Sequence, residues 1–453
     1  MDMKIQMPEN AAKIIGVLQD AGYEAYIVGG CVRDAILGKK PDDWDITTSA
    51  KPEQVKALFK RTVDTGIAHG TVTVVMKNQE EGCLEAYEVT TYRVDGKYED
   101  HRRPKQVTFT ASLIEDMKRR DFTINAMAYN DKEGIIDHFD GIKDLEKKII
   151  RCVGNPKERF DEDALRILRG VRFAAQLDFS IDPLTKEAIQ NQAVFLKDIS
   201  AERIHVELTK LLISKHPEQL LQAYELGVTK IVLPEFDRMM ETEQNNPHHC
   251  YNVGVHTLHV MEQVKPTECM RWAALLHDVA KPVCKTTKDG IDHFYGHNEE
   301  GEKIARQVLK RLKFDNDTLH KVVRLVYWHD YGMGQVPKIA TFRRALNKMG
   351  MDLFESYVDI KRADILAQSE YMRESKLHNL EVLTGYYKTI VEENQCIHVK
   401  DLAVTGKDLI SLGMKPGKDL GIMLSYLLEC VLEHPEWNDK ETLVKLTTDK
   451  LNR

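Results

Sequence analysis

The sequence has no CxxC pair, no apolar run long enough to cross a bilayer and no surplus of positive charge, and each absence removes a class of protein. Its eight cysteines, Cys31, Cys83, Cys152, Cys250, Cys269, Cys284, Cys396 and Cys430, are scattered through 453 residues. That spacing argues against a disulfide framework or a thiolate zinc site, and for reduced thiols in a cytoplasmic protein. A membrane helix needs roughly 20 consecutive apolar residues; none occur here, so no membrane partner is expected. The stretch MDMKIQMPENAAKIIGVLQDAGYEAYIVGG has no basic segment followed by an apolar core, and no signal peptide is predicted. Internal repeats and low-complexity segments are also missing. The formal charge of −7 gives no general pull toward nucleic acid, although a basic groove on an acidic body still attracts phosphate.

What is present is an ordinary globular composition, 42% hydrophobic and 30% charged, in a chain long enough for several domains. The first 150 residues read as α/β. AAKIIGVLQDAG carries helical spacing, and EAYIVGG, TVTVVMK and YEVTTYR read as strands. VDGKYEDHRRPKQVT, polar and glycine-bearing, reads as a mobile loop. From about residue 155 the strand signal fades and helices joined by short turns take over.

YIVGGCVRDAILGKKPDDWDITT concentrates the chemistry of the head. Gly29 and Gly30 end a strand and open a helix, where backbone N–H groups can approach phosphate oxygens. Arg33, one turn on, adds a fork of donors. In an extended segment Asp43 and Asp45 point to one side. Two carboxylates held together are costly without a cation between them, and magnesium suits oxygen ligands and bridged phosphates. Glu88, on a later strand, is placed to supply a third carboxylate. The bland alternative is a solvated acidic turn.

GGCVRDAILGKKPDDWDITT, RRDFTINAMAYN and EDALRILRGVRFAAQ together resemble the bacterial class of tRNA nucleotidyltransferases, the CCA-adding enzymes and their poly(A) polymerase relatives, in the polymerase β-like superfamily. The resemblance covers roughly residues 20–235. It implies Asp43 and Asp45 as Mg2+ ligands with Glu88 as the third, and Gly30 and Arg33 on the nucleotide. It sets Arg120 against the incoming nucleotide and Asp121 near the ribose. The residues alone also let Asp121 cap a helix built from the apolar run after it, and the two roles are compatible.

In ERFDEDALRILRGVRFAAQ, Asp163, Arg166, Arg169 and Arg172 recur every three residues, which predicts a ridge along one helix, with Leu165, Leu168 and Phe173 packing elsewhere. An exposed basic face is the default reading of such spacing. The resemblance implies instead that Asp163 and Arg166 read the Watson–Crick edge of the base. Cytosine and adenine each offer an amine donor beside a ring-nitrogen acceptor, so a carboxylate and a guanidinium fit both. Uracil and guanine present the reverse order and leave polar groups unpaired, at about 1–3 kcal/mol each. One Asp/Arg pair therefore selects CTP and ATP without a template, leaving Arg169 and Arg172 for phosphate. In the family the loop DGKYEDHRRP serves the switch from C to A, and its presence favours full CCA addition to tRNA.

Histidines crowd between His248 and His329, in HHCYNVGVHTLH, ALLHDVAKP, YGHNEEG and VYWHDYG. The adjacent His277 and Asp278 resemble an HD domain, a metal-dependent phosphohydrolase fold. The candidate ligands are His256, His277, Asp278 and Asp364, with His297 and His329 for a second ion; imidazole with carboxylate suits a divalent transition metal. The alternative is a set of hydrogen-bonded core histidines. GMKPGKDLG, near the C-terminal end, reads as a helix–turn–helix bend able to approach tRNA phosphates.

The expected fold is α+β: a nucleotidyltransferase head (1–150), a helical base-selecting and RNA-binding neck (151–235), a helical HD body (236–395) and a helical tail on tRNA (396–453). The expected activity is metal-dependent addition of C, C and A from CTP and ATP to tRNA. The rivals are a poly(A) polymerase, an enzyme adding only CC or A, and an HD phosphohydrolase acting on RNA ends.

Overall fold

The computed structural model describes residues 3–78, 82–96, 98–99, 103–104, 107–332 and 334–452. The chain forms two compact units, Met1–Pro234 and Glu235–Arg453. The first begins with strands β1 (Ala25–Val28), β2 (Ile46–Thr48), β3 (Thr62–Gly66), β4 (Thr71–Lys77) and β5 (Leu84–Thr91). An arm of short strands follows: β6 (Arg93–Asp95), β7 (Tyr98–Glu99), β8 (Arg103–Pro104) and β9 (Val107–Phe109). Then come β10 (Met127–Asn130) and β11 (Gly134–Asp137). Seven of these strands make one sheet in the order β11-β10-β1-β2-β5-β4-β3. Only the β2–β5 pair in it is parallel, with Ile46 opposite Val89 and Thr47 opposite Thr90.

Helices α1 (Glu9–Asp20), α2 (Gly30–Ile36), α3 (Pro52–Leu58), α4 (Leu113–Lys118) and α5 (Gly141–Glu146) accompany the sheet. The spacing of AAKIIGVLQDAG explains α1: Ala11, Ile14, Ile15 and Leu18 fall on one face and are buried. Burial of side chains such as Ile14 and Leu18 contributes roughly 1.5–3 kcal/mol each. The same unit continues as α6 (Pro156–Glu162), α7 (Leu165–Leu177), α8 (Pro183–Gln192) and α9 (Ala201–Leu212).

Four expectations need correction. The apolar run after Asp121 is not a helix but one 3-10 turn, Thr123–Asn125, leading into β10. Its residues Met127–Asn130 are all buried between β1 and β11, so sheet pairing overrides local propensity. Asp163 does not share a helix with Arg166. The chain turns extended at Asp163, whose carboxylate accepts the Leu165 N–H at 3.1 Å and starts α7 afresh. The segment from Arg93 to Phe109 is rooted as a ribbon, β6 pairing with β9 and β7 with β8; residues 97, 100–102 and 105–106 of the expected loop lie outside the described residues. The region beyond 155 is not purely helical, since β12 (Ile149–Ile150) pairs with β13 (Ser180–Ile181), and β14 (Thr286–Lys288) with β15 (Ile291–His293).

The second unit is built of helices, among them Val253–Gln263, Glu268–Leu276, His297–Arg311, Asn316–Trp328, Ile339–Met349 and Phe354–Ala367. Trp272, fully buried, meets Phe314 edge to face at 5.0 Å. Gly406–Ser411 and Lys418–Glu433 flank the expected bend. Arg344 ties the latter helix to Ile339–Met349 through Glu429 and Glu433, at 2.7 and 2.9 Å.

Candidate active site and metal centre

The head site begins where β1 stops. Gly29 has φ 86° and ψ −131°, a conformation that favours glycine. A Cβ there would lie 3.1 Å from Arg120 Nη1, so the missing side chain also lets that guanidinium close over the strand end. Gly30 opens α2. Arg33 is buried in it, donating to Asn125 Oδ1 at 2.7 Å and to both Asp34 oxygens at 2.9 Å. Its guanidinium also lies 5.2 Å from the Phe173 ring centre. Helix α2, the 3-10 turn and α7 thus meet on one cation.

Asp45 immediately precedes β2, and the parallel register with β5 brings it level with Glu88. Both side chains, and that of Asp43, are open to water. The Asp45 carboxyl is nevertheless pushed above its ordinary value. Desolvation by the surrounding protein mass is the largest cause; Glu88 and Asp43 push the same way, and Arg120 opposes them. The three carboxylates therefore feel one another, and their hard oxygens fit a divalent ion of the magnesium class. Their ligand atoms do not form one of the tight groups found among the described residues.

Behind this edge stand the arginines. Burial would raise the Asp121 carboxyl, but the Arg169 and Arg166 guanidiniums outweigh it and bring it down to about 2. Arg169 reaches Asp121 at 2.6 Å. Arg172 pairs with Glu207 of α9 at 2.6 Å and lies 3.8 Å from the Phe173 ring centre. Arg166 pairs with Glu162 at 2.6 Å and donates to the Arg119 carbonyl at 2.9 Å. Asp163 pairs with Arg203 at 2.7 Å. The spaced arginines are thus not a free basic face: Arg166 and Arg172 are buried, and each of the three has an acidic partner from a distant or adjoining turn.

In the second unit the histidines converge. His256, His277 and Asp278 bring ligand atoms within 4.8 Å of one another, and so do Asp278, His297 and His329. His277, His297 and His329 each donate Nδ1–H to the carbonyl three residues earlier, at 2.7, 2.8 and 2.6 Å. Their Nε2 atoms are left as the inward-facing ligand atoms. His256 and His277 face each other Nε2 to Nε2 at 3.4 Å, and His297 and His329 at 3.2 Å. Asp364 Oδ1 stands 3.1 Å from His256 Nε2. A cavity of about 570 Å³ opens onto Asp278, His297, His329 and Asp364.

Residues that the sequence reading missed hold these groups. In the first unit they are Asp116, Glu162, Arg203 and Glu207; in the second, Lys281 at 2.7 Å from Asp278 and Gln368 at 2.8 Å from Asp364. Asp116, Glu162, Lys281 and Gln368 stand three or four residues from the groups they hold and carried a readable local signal, whereas Arg203 and Glu207 are remote in sequence and carried none.

Comparison with known proteins agrees with this geometry. Residues 25–151 match the poly A polymerase head domain, 178–240 the probable RNA and SrmB-binding site of polymerase A, and 294–447 the tRNA nucleotidyltransferase domain 2. The CCA-adding enzyme of Ligilactobacillus salivarius is 52% identical, covering 96% of this chain and 95% of the relative. That of Levilactobacillus brevis is 36% identical over 97% of this chain and 98% of the relative. The crystal structure of the Bacillus stearothermophilus CCA-adding enzyme in complex with CTP superposes with a TM-score of 0.70 at 29% identity, covering 99% of this chain and 100% of that one. An acidic edge backed by paired arginines, in a chain alike from end to end, has one family home: the protein belongs to the CCA-adding enzymes, a family of nucleotidyltransferases.

Proposed function

We propose that the chain adds C, C and A in turn to the 3′ end of tRNA, taking them from CTP and ATP without a nucleic-acid template. The observation that carries this reading is the mutual influence of Asp45, Glu88, Asp43 and Arg120 around the paired interior strands β2 and β5, in a chain whose relatives, matched over nearly their full length, are CCA-adding enzymes. In the reaction the tRNA 3′-oxygen bonds to the α-phosphorus, the bond between α-phosphorus and bridging oxygen breaks, and pyrophosphate leaves.

The family depends on a divalent metal, and Asp43, Asp45 and Glu88 are the residues that would hold magnesium. When bound, the ion supplies positive charge to the attacking hydroxyl and the leaving pyrophosphate. Gly29, Gly30 and Arg33 orient the phosphates, and Arg120 adds charge beside Asp45. Asp121, paired with Arg169, would lie near the ribose. Asp163 and Arg166 select the base, Glu162 and Arg203 fixing their position meanwhile; Arg169, held by Asp121, and Arg172, held by Glu207, would serve phosphate. Residues 1–150 act as head, 151–235 as neck, 236–395 as body and 396–453 as a tail against tRNA. Eight free cysteines support a cytoplasmic location.

A second reading, favoured by the converging imidazoles, concerns the body. Two groups sharing Asp278 suit divalent transition-metal binding by His256, His277, Asp278 and Asp364, with His297 and His329 on a second ion, and a phosphohydrolase chemistry of the HD kind.

Incubating the chain with tRNA lacking CCA and with CTP, ATP or both tests the main reading. C addition from CTP alone and complete CCA from both are expected. Adenosine tails of indefinite length without CTP would overturn it. Release of phosphate from an RNA end by the chain, lost in His277→Ala, tests the second.

A further inference from the structure

The most heavily used carboxylate in the head is one to which the transfer reaction assigns no role. Asp116, on α4, is completely buried. Its Oδ1 accepts Arg119 Nε at 3.0 Å, Arg119 Nη2 at 2.8 Å and the Arg93 backbone N–H at 3.3 Å. Its Oδ2 accepts Thr47 Oγ1 at 3.3 Å and Arg120 Nη2 at 3.5 Å. A buried carboxylate is tolerated only when its oxygens are satisfied by cations and N–H or O–H donors, and here the donors come from three separate segments.

Where those donors sit matters more than their number. Thr47 lies two residues beyond Asp45 on β2, and its partner Thr90 lies two beyond Glu88 on β5. Arg93 is the first residue of the ribbon arm; its guanidinium also bonds the His69 carbonyl, and its strand partner Phe109 packs on Gly70. Arg120 closes over Gly29 and faces Asp45. The Arg119 carbonyl receives Arg166. One side chain thus fixes the acidic strand, the root of the arm and the nucleotide-side arginine against one another.

We propose that Asp116 is a positioning residue for nucleotidyl transfer, holding Arg120 and the arm root in register with the strand that carries Asp45. The proposal rests on the reading of the head as the transfer site. An isosteric Asp116→Asn keeps the shape and removes the charge that gathers the donors. It should lower kcat for both CTP and ATP by about 30-fold while tRNA affinity stays within about 3-fold. Combined with Arg120→Ala, it should add less than about 3-fold to the loss from Arg120→Ala alone, because the two act as a unit. A merely structural residue would give multiplicative losses that track the folded fraction.

Should Asp116→Asn melt below the assay temperature, Thr47→Val serves instead. It removes one donor, keeps the ion pairs, and should lower kcat by about 3–10-fold with the fold intact. Unchanged kcat in the folded variants, or independent effects in the cycle, would overturn the proposal. Absence of incorporation by the native chain in the same assay would count against the transfer reading itself and not against Asp116.

Discussion

The head and the body each gather carboxylates, and they do so in opposite ways. In the head, Asp43, Asp45 and Glu88 are open to water and feel one another through charge. In the body, His256, His277, Asp278 and Asp364 are buried, and imidazole nitrogens stand 3.2–3.4 Å apart with their outer nitrogens anchored on carbonyls. The difference is one of exposure to water. An open acidic edge suits an ion that arrives with a triphosphate and leaves with pyrophosphate, whereas a buried, pre-oriented cluster suits an ion that stays. The contrast teaches that a carboxylate pair in sequence does not by itself say whether its metal is resident.

The largest effect should come from breaking the head. Asp45→Asn is expected to cut CTP incorporation by ~10³-fold or more, about 4 kcal/mol of transition-state stabilisation, with the metal content of the body unchanged. Labelled-nucleotide assays and elemental analysis together check this. Breaking the body is the converse. Asp278→Ala removes the ligand shared by both groups and strands Lys281 without its 2.7 Å partner. Bound transition metal should vanish and stability should fall by about 3–5 kcal/mol, the range for one half of a buried ion pair. Nucleotide addition measured below the melting point should persist.

Smaller changes sharpen the contrast within the first unit. Arg166→Ala should reduce kcat/KM for CTP and ATP alike by ~10–100-fold and raise the relative use of UTP and GTP, since each unsatisfied base group is worth about 1–3 kcal/mol. Competition assays with all four nucleotides measure it. Gly29→Ala places a Cβ on a strained backbone 3.1 Å from Arg120; a loss of about 1–3 kcal/mol in stability, with a raised KM for nucleotide, is expected from melting curves and kinetics. The smallest effect is a pH dependence. Asp121 is held at about 2 in the folded chain, below the ordinary aspartate value of about 3.9. Its ion pair therefore stabilises fully above that ordinary value and fades as pH falls toward the folded value. The gap in melting temperature between the native chain and Asp121→Asn should narrow over that window and stay constant above it.

Local chemistry was legible in the sequence where neighbours in the chain are neighbours in space. The glycine pair with Arg33, the acidic pair Asp43 and Asp45, and the adjacent His277 and Asp278 follow that rule. Asp364 does not follow it: it reaches His256 across 108 residues. What the sequence hid are contacts between distant segments. Nothing in RRDFTINAMAYN announces that Asp121 will meet Arg169, 48 residues on, because an ion pair leaves no period. The same run looked helical because burial on both faces of a central strand erases the alternation that marks a half-buried one. The regular three-residue spacing of Asp163 with the arginines suggested one helix, but a side chain that caps the next helix from outside has the same spacing.

The most direct test is a crystal soaked with CTP and manganese, which reports both regions at once through its anomalous signal. The account predicts a peak between the triphosphate and the side chains of Asp43 and Asp45, with Glu88 turned toward it, and a separate peak among the body imidazoles. Head carboxylates facing bulk water, with CTP bound elsewhere, would contradict it.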